Sequence, residues 1–504
     1  MGWKDKRRWN TVIVGFWTGV SRVLGLAREV LGARMFGMSL AQSAFVLAFR
    51  IPNLLRRLFG EGALSAAFVP VFATTLAQES KEAAQRLGRQ VLTLLFVGLA
   101  TLVVAGIGVT FVIGWLMPDS EKLAMALPLL RIMFPYAVFI CMTALCMGML
   151  TALGDFRTSS FSPAILNIVW IAVLLCLCPF IDGEQRRIVA VSWGVVVAGV
   201  LQFALQWHRL RRLGCSLAPC WRDWRNSKVI AIWKAAIPAV IGAGVIQINV
   251  CLDSALAMLA NTWAPAALSY AEHLVYLPLG LIATAMGTVL LPSFSRQFAE
   301  NDTDGMRRTL AEALKDIALI AIPAAVGLIV LAKPITALVY ERGVFTPEGT
   351  LRTSRALCAY SLGLVVFSVQ KVVTPLFYAM RDTKTPVRLS IHSVIANAAL
   401  NIAFIILLPS EWKHVGIAVS TVLCALGLCL ALFVLAQRRI GRLPWRALIL
   451  VTAKAALASA LMGAAAHAAF RALSPRLPLA LALALAIALA LLLYAALHRL
   501  LRHR

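Results

Sequence analysis

Long apolar runs follow one another almost without pause along this chain, and that spacing constrains its fold more than any motif does. They fall at about 10–36, 41–74, 88–117, 125–152, 159–180, 188–207, 231–260, 266–297, 311–333, 352–379, 386–408, 415–436, 446–470 and 478–498. A helix needs about 20 apolar residues to cross a bilayer, so fourteen such helices take about 280 of the 504 residues and leave short loops. The last run contains Leu481-Ala482-Leu483-Ala484-Leu485-Ala486, which alternates as a strand would. Alanine and leucine are strong helix formers, and a lone strand in lipid leaves its backbone unpaired, so helix is the reading there too. Composition agrees: 61% of residues are hydrophobic and 14% charged, against about 25% charged in soluble domains. The expected fold is an all-α polytopic membrane protein with fourteen transmembrane helices.

The formal charge of +26, from 48 Lys and Arg against 22 Asp and Glu, raises the question of nucleic acid. The distribution answers it. Loops on one side of the fourteen spans carry 28 basic residues and those on the other carry 8. Cytoplasmic loops collect Lys and Arg, so the pattern expects both termini in the cytoplasm and no nucleic-acid partner. A cleaved leader is not expected, because Arg22, Arg28 and Glu29 interrupt the first apolar run. The ten cysteines lie mostly inside apolar runs and read as small buried hydrophobes. His208, Cys215 and Cys220 lack a fourth ligand at zinc spacing.

The chain also resembles itself. Ala63-Leu64-Ser65-Ala66-Ala67-Phe68-Val69-Pro70-Val71-Phe72 parallels Ala285-Met286-Gly287-Thr288-Val289-Leu290-Leu291-Pro292-Ser293-Phe294. Pro52 corresponds to Pro278, and Ala152-Leu153-Gly154-Asp155-Phe156-Arg157-Thr158 to Ala379-Met380-Arg381-Asp382-Thr383-Lys384-Thr385. The three matches keep their order at nearly one offset. They imply two parallel six-helix repeats, spans 1–6 and 7–12, followed by two extra helices. The expected organisation is an N-terminal half over 1–228, a second half over 229–440 and an added pair over 441–504. Parallel repeats of even span number are a transporter architecture with the binding site between the halves.

Charges inside the apolar runs carry the functional argument. The first span holds Arg22, Arg28 and Glu29; the second holds Arg50, Arg56, Arg57 and Glu61. A charge at the bilayer centre costs about 2.5–3.5 kcal/mol on the gentlest scale, so three unpaired arginines would cost about 8–10 kcal/mol. They must face water, carboxylates or an anionic ligand. Arg57 and Glu61 are spaced to pair on one helix face, and Arg50 can snorkel. Glu29 cannot serve both Arg22 and Arg28, which point about 120° apart around an ideal helix. The surplus positive charge therefore implies an anion, and the planar guanidinium fork suits a diphosphate. Pro52, Pro70, Pro278 and Pro292 are expected to break the second and eighth spans at matching places.

In the second half, Glu272 and His273 share one span, and Lys371 lies on another. His273 reads either as a hydrogen-bonded packing residue or as a protonatable group. Asp253, with Gln247 and Asn249 nearby, and the pair Asn397 and Asn401 supply oxygens that either hold a small hard cation or bond between helices. No phosphate loop, nucleophile elbow or zinc helix is present, and the chain is not expected to be an enzyme. Asp302 and Asp304 read as a helix cap rather than a metal motif.

Several stretches resemble the MurJ/MviN lipid II flippases: Ser21-Arg22-Val23-Leu24-Gly25-Leu26-Ala27-Arg28-Glu29, Pro52-Asn53-Leu54-Leu55-Arg56-Arg57-Leu58-Phe59-Gly60-Glu61-Gly62-Ala63, Gly287-Thr288-Val289-Leu290-Leu291-Pro292 and Tyr378-Ala379-Met380-Arg381-Asp382-Thr383-Lys384-Thr385-Pro386. The resemblance implies a member of the multidrug/oligosaccharidyl-lipid/polysaccharide exporter superfamily in the bacterial inner membrane. Such a protein moves undecaprenyl-diphosphate-linked peptidoglycan precursor between leaflets by alternating access, as a functional monomer among membrane lipids. It implies that Arg22, Arg28 and Arg56 meet the diphosphate, with Arg57, Glu29, Glu61 and His273 around them. It also implies a polyprenyl groove in the added helices and, in some members, sodium at residues matching Asp253, Asn397, Asn401 and Thr421. The chain departs from the family's pattern at Ser43, where many members have Asp. It departs again at Tyr270-Ala271-Glu272-His273, where the usual motif ends Asp-Arg, and at Asn401, where some have Asp. A flippase for another polyprenyl-diphosphate-linked glycan is the nearest rival. A multidrug exporter of the same architecture would call for acidic cavity residues, and an enzyme acting on polyprenyl phosphates would need a catalytic cluster.

Overall fold

The computed structural model describes residues 3–60, 63–216, 218–221 and 226–502. Helices joined by short turns account for the described residues, with no strand among them. Eleven helical segments are long and apolar enough to cross a membrane. Three further helices, α1 (Trp3–Phe36), α8 (Ser227–Ala260) and α9 (Ala264–Ala299), are 34, 34 and 36 residues long. The chain divides into two compact units, the first ending at Met258 and the second beginning at Leu259. Nearly all of α8 therefore belongs to the first unit, although the sequence repeat groups the seventh span with the second half.

In the first unit α5 (Glu121–Ala152) is the central helix. It packs against α2 (Leu40–Leu55), α3 (Ala63–Gln78), α4 (Lys81–Leu116) and α7 (Glu184–Arg212). A helix apolar on every face belongs in an interior, and Met133, Tyr136, Cys141, Leu145 and Met149 are all buried. Gly199 brings α7 against α5, because a Cβ there would stand 2.7 Å from the Tyr136 ring. α1 packs on α6 (Phe156–Ala172), which in turn packs on α7.

The second span loosens in the turn after Pro52. Pro52 lies inside α2, and a π-helical turn over Arg56–Gly60 follows it. Proline withholds one backbone donor, and the looser winding sits in the next turn. The expected breaks at Pro70, Pro278 and Pro292 do not occur: α3 and α9 run through them. One lost i→i−4 bond bends a helix without ending it.

In the second unit α12 (Pro347–Ala379) packs on α9, α10 (Thr303–Val330) and α14 (Lys413–Ile440), while α13 (Lys384–Leu407) packs on α14. The added pair, α15 (Trp445–Leu473) and α16 (Leu479–Arg502), pack on each other, and α15 covers α10. The Tyr494 hydroxyl on α16 donates to the Leu319 carbonyl at 2.8 Å. A short helix, α11 (Ala332–Tyr340), was not expected from sequence. Its nine residues bury Ala332, Thr336 and Tyr340, one per turn, and are too few for a bilayer-length window.

Each unit contains one tightly bonded corner. Between α5 and α6, Asp155 caps the helix: the Thr158 N–H and hydroxyl both donate to its carboxylate at 3.1 Å, and Arg209 of α7 donates to it as well. Between α12 and α13, the Thr385 N–H and hydroxyl donate to Asp382 at 2.9 and 2.6 Å, and Arg439 of α14 donates at 2.6 Å. Burial pushes each carboxyl's pKa up, but the hydrogen bonds and the arginine charge pull it down further. Asp155 ends below the ordinary value and Asp382 at about 2. Asp302 is a helix cap as expected, accepting from the Gly305 N–H at 2.7 Å.

Candidate functional site

Four helices of the first unit converge on Arg28. Arg28, Glu29, Gly32 and Phe36 of α1, Gln42 and Phe45 of α2, Trp170 of α6, and Ile188 and Val191 of α7 line a small cleft. Inside it Arg28 Nη2 donates to Glu29 Oε1 at 2.6 Å and Nη1 donates to Asn167 Oδ1 at 3.0 Å. The guanidinium lies 4.4 Å from the centre of the Trp170 ring, in reach of a cation–π attraction. Only 14% of the Arg28 side chain and 13% of that of Glu29 are exposed. A half-buried guanidinium inside apolar helices thus carries one carboxylate, one amide oxygen and one aromatic face.

Arg22, on the same helix, is exposed. Arg56 and Arg57 occupy the π-helical turn, where Arg56 is half-buried and Arg57 exposed. The Arg56 Nε donates to Asn53 Oδ1 at 2.8 Å. Arg57 Nη1 donates to Gln247 Oε1 at 3.2 Å, and Arg50 Nη1 to the Val250 carbonyl at 3.1 Å, so two arginines tie the second span to α8. Glu61, the expected i,i+4 partner of Arg57, lies outside the described residues. Ser43 is fully buried, and its hydroxyl has no hydrogen-bond partner among the described residues.

In the second unit His273 Nδ1 meets the Ser269 carbonyl at 2.7 Å, and the Tyr360 hydroxyl reaches Glu272 at 3.4 Å. Asn401 Nδ2 donates to Asn397 Oδ1 at 2.9 Å, Asn397 Nδ2 to Ser420 Oγ at 3.4 Å, and the Ser420 hydroxyl to Asn401 Oδ1. These three side chains close a buried ring between α13 and α14. Thr421 beside them donates to the Ile417 carbonyl at 3.0 Å. Asp253 belongs to the first unit, where it is buried and accepts from Asn249 at 3.4 Å.

Sequence reasoning reached the arginines and missed what holds them. Asn167 and Trp170 lie 139 and 142 positions from Arg28, and no local spacing connects them. Asn167 does carry a signal, being a lone amide in an apolar run, the same signal that singled out Asn397 and Asn401. Arg131, which donates to the Thr110 hydroxyl and carbonyl at 2.9 and 3.0 Å and stacks on Phe111, was also passed over.

The chain as a whole is similar to known proteins. The model of the family described as lipid II flippase MurJ matches residues 32–493. A Burkholderia cenocepacia protein named lipid II flippase MurJ is 36% identical over 429 residues, covering 83% of this chain and 82% of that one. A MurJ relative from Vibrio cholerae is 37% identical over 426 residues, 82% of this chain and 80% of its own length. Among solved structures, a lipid II flippase MurJ in an inward closed conformation superposes with a TM-score of 0.77 at 24% identity, covering 97% of this chain and 98% of that one. An inward-facing multidrug resistance transporter of the MATE family, from the MOP superfamily, gives 0.70 at 14% identity over 83% and 94%. The last two are likenesses of fold. With a family model spanning almost the whole chain and relatives above 30% identity, this chain belongs to the lipid II flippase MurJ family.

Proposed function

We propose that this chain is a lipid II flippase: it carries the undecaprenyl-diphosphate-linked peptidoglycan precursor from the inner to the outer leaflet of the bacterial cytoplasmic membrane. The family match over residues 32–493 carries that reading. The protein is a transporter for cell-wall synthesis, not an enzyme, and its MATE-like relatives in fold fit alternating access. The half-buried guanidinium of Arg28, set in a cleft among apolar helices, supports a diphosphate as the recognised group. In this reading Arg22, Arg28 and Arg56 engage the diphosphate, Arg57 and His273 assist, and Glu29 and Glu61 hold arginines when no substrate is bound. Glu29 already bonds Arg28.

The finer architecture belongs to the same proposal. Fourteen helices span the membrane, and the two bonded corners at Asp155 and Asp382 support a duplication of spans 1–6 and 7–12. The halves cover 1–228 and 229–440, and the added pair over 441–504 receives the polyprenyl tail. The 28 to 8 bias in basic loop residues supports cytoplasmic termini. The protein works as a monomer with lipid II and membrane lipids as partners and without nucleic acid. Sodium at Asp253, Asn397, Asn401 and Thr421 draws support from neutral oxygens gathered at Asn397 and Asn401. Those oxygens accept hydrogen bonds within their own ring.

The test uses cells depleted of their own flippase and supplied with this chain, with an external enzyme that cleaves only outward-facing lipid II. Restored cleavage that disappears with Arg28→Ala, at unchanged membrane abundance, is the expected result. Membrane insertion without any restored cleavage overturns the substrate and favours another polyprenyl-diphosphate-linked glycan. Normal growth on Arg28→Ala overturns the diphosphate role of that arginine.

A further inference from the structure

Arg28 is held by one charged and one neutral acceptor, and the neutral one has a second attachment. Asn167 is 94% buried on α6. Its Oδ1 accepts from Arg28, while its Nδ2 donates to the carbonyl of Ser21 at 3.0 Å and to the Ser21 hydroxyl at 3.4 Å. One amide therefore grips α1 at two points, seven residues apart, about 10 Å along the helix. Trp170, one turn further along α6, covers the face of the same guanidinium. The Arg28 Nε is buried and has no hydrogen-bond partner among the described residues. The guanidinium is thus oriented and incompletely satisfied.

The chemistry of the 167 position follows from charge counting. Arg28 and Glu29 together are formally neutral. Asparagine adds an acceptor and no charge, so it leaves the charge of the Arg28–Glu29 pair unchanged at a half-buried site. An aspartate of the same shape would surround one guanidinium with two carboxylates and leave a net negative charge where a diphosphate has to approach. It would also turn a hydrogen bond charged only on its donor side into an ion pair, which holds the guanidinium more tightly. A leucine would leave Arg28 Nη1 without that acceptor and would drop the Ser21 contact.

We propose that Asn167 is a positioning and specificity-determining residue: its uncharged amide fixes Arg28 and α1 while leaving the guanidinium releasable to a polyprenyl diphosphate. The inference rests on the reading of Arg28 as a diphosphate ligand. It adds that the neutrality of residue 167, beyond its shape, sets the affinity for that anion.

Purified full-length protein is titrated with undecaprenyl diphosphate and with undecaprenyl monophosphate, and its melting temperature is followed in parallel. Asn167→Asp is expected to weaken diphosphate binding by about tenfold or more, with a smaller loss for the monophosphate, because a new charge within a few ångströms acts in a low dielectric. Its melting temperature is expected to stay near that of the parent, since the ion pair gained to Arg28 offsets the amide bonds to Ser21 that are lost. Glu29→Gln combined with Asn167→Asp returns the native charge count and is expected to recover diphosphate affinity to within about threefold of the parent. A packing role would not produce that recovery. The double variant also decides the matter if Asn167→Asp alone does not insert. Parental diphosphate affinity in Asn167→Asp, or a double variant that binds as poorly as Arg28→Ala, overturns the inference while the diphosphate reading stands. Parental affinity in Arg28→Ala overturns both.

Discussion

The corners at Asp155 and Asp382 solve one problem with different residues. In both, a helix ends with a 6→1 backbone bond, Asp155 N–H to the Leu150 carbonyl at 2.8 Å and Asp382 N–H to the Phe377 carbonyl at 2.9 Å. In both, the residue before the aspartate takes a left-handed conformation, Gly154 at φ +87° and Arg381 at φ +58°. The aspartate then binds the first turn of the next helix and an arginine from the helix after that. The surroundings differ. On the first corner Gln206 and Gln202 of α7 add bonds to the Thr158 and Ser162 carbonyls of α6. On the second, Arg439 also lies over the Phe377 ring at 5.2 Å. The first corner therefore spreads its hold over neutral side chains, while the second concentrates it on one ion pair. It also places a non-glycine residue where the backbone favours glycine.

That contrast predicts unequal losses. Asp382→Ala removes the bonds to Thr385 and leaves Arg439 without its carboxylate, and is expected to destabilise by about 2 kcal/mol. Asp155→Ala loses the matching bonds but keeps the glutamine ties, with about 1 kcal/mol expected. Thermal unfolding of purified protein ranks the two, and equal losses would mean that the glutamines do not share the load. Acid sharpens the ranking. The folded Asp382 carboxyl titrates at about 2, below an unfolded value of about 3.9. A depressed carboxyl stabilises the folded state above its unfolded pKa, so this contribution is complete above about pH 4 and is lost as pH falls towards 2. The parent should lose more of its melting temperature across that window than Asp382→Asn does, and parallel curves would remove the charge from the account.

Gly154→Ala is the next largest effect, expected at about 1 kcal/mol of destabilisation, because a Cβ is strained at positive φ. Nothing lies within 4 Å of the Cβ it would add, so any loss reads the backbone alone. An unchanged melting temperature would show that the turn relaxes to another conformation.

The corners also mark how far the sequence could be read. The Asp-x-x-Thr spacing is local, and it announces the helix start at both corners. Apolar runs announce the helices for the same reason: twenty consecutive residues decide whether a segment spans. Arg209 and Arg439, like Asn167 and Trp170 around Arg28, come from helices that local sequence cannot bring together. The prolines show the opposite failure. Pro278 and Pro292 sit at positions that match the first half, yet α9 runs through them, because a helix supported along its length tolerates the loss of one bond. Spacing identifies which residues are unusual, and packing decides what becomes of them.

The smallest effect is the most specific to the comparison. Arg381→Gly gives the second corner the residue that the first already has. It removes a left-handed strain of about 1–2 kcal/mol, but glycine also gains freedom in the unfolded chain, which offsets about 0.4–1 kcal/mol. The Arg381 N–H donates to the Tyr378 carbonyl at 3.0 Å, a backbone bond that glycine keeps, and its exposed side chain makes no hydrogen bond or ion pair among the described residues. The net expectation is a gain of about 0.5 kcal/mol, opposite in sign to Gly154→Ala at the equivalent place. Opposite signs from the two substitutions, read as melting temperatures of the same purified protein, would establish that both corners impose one backbone conformation. A loss in Arg381→Gly would mean instead that the freedom glycine gains in the unfolded chain outweighs the strain it relieves.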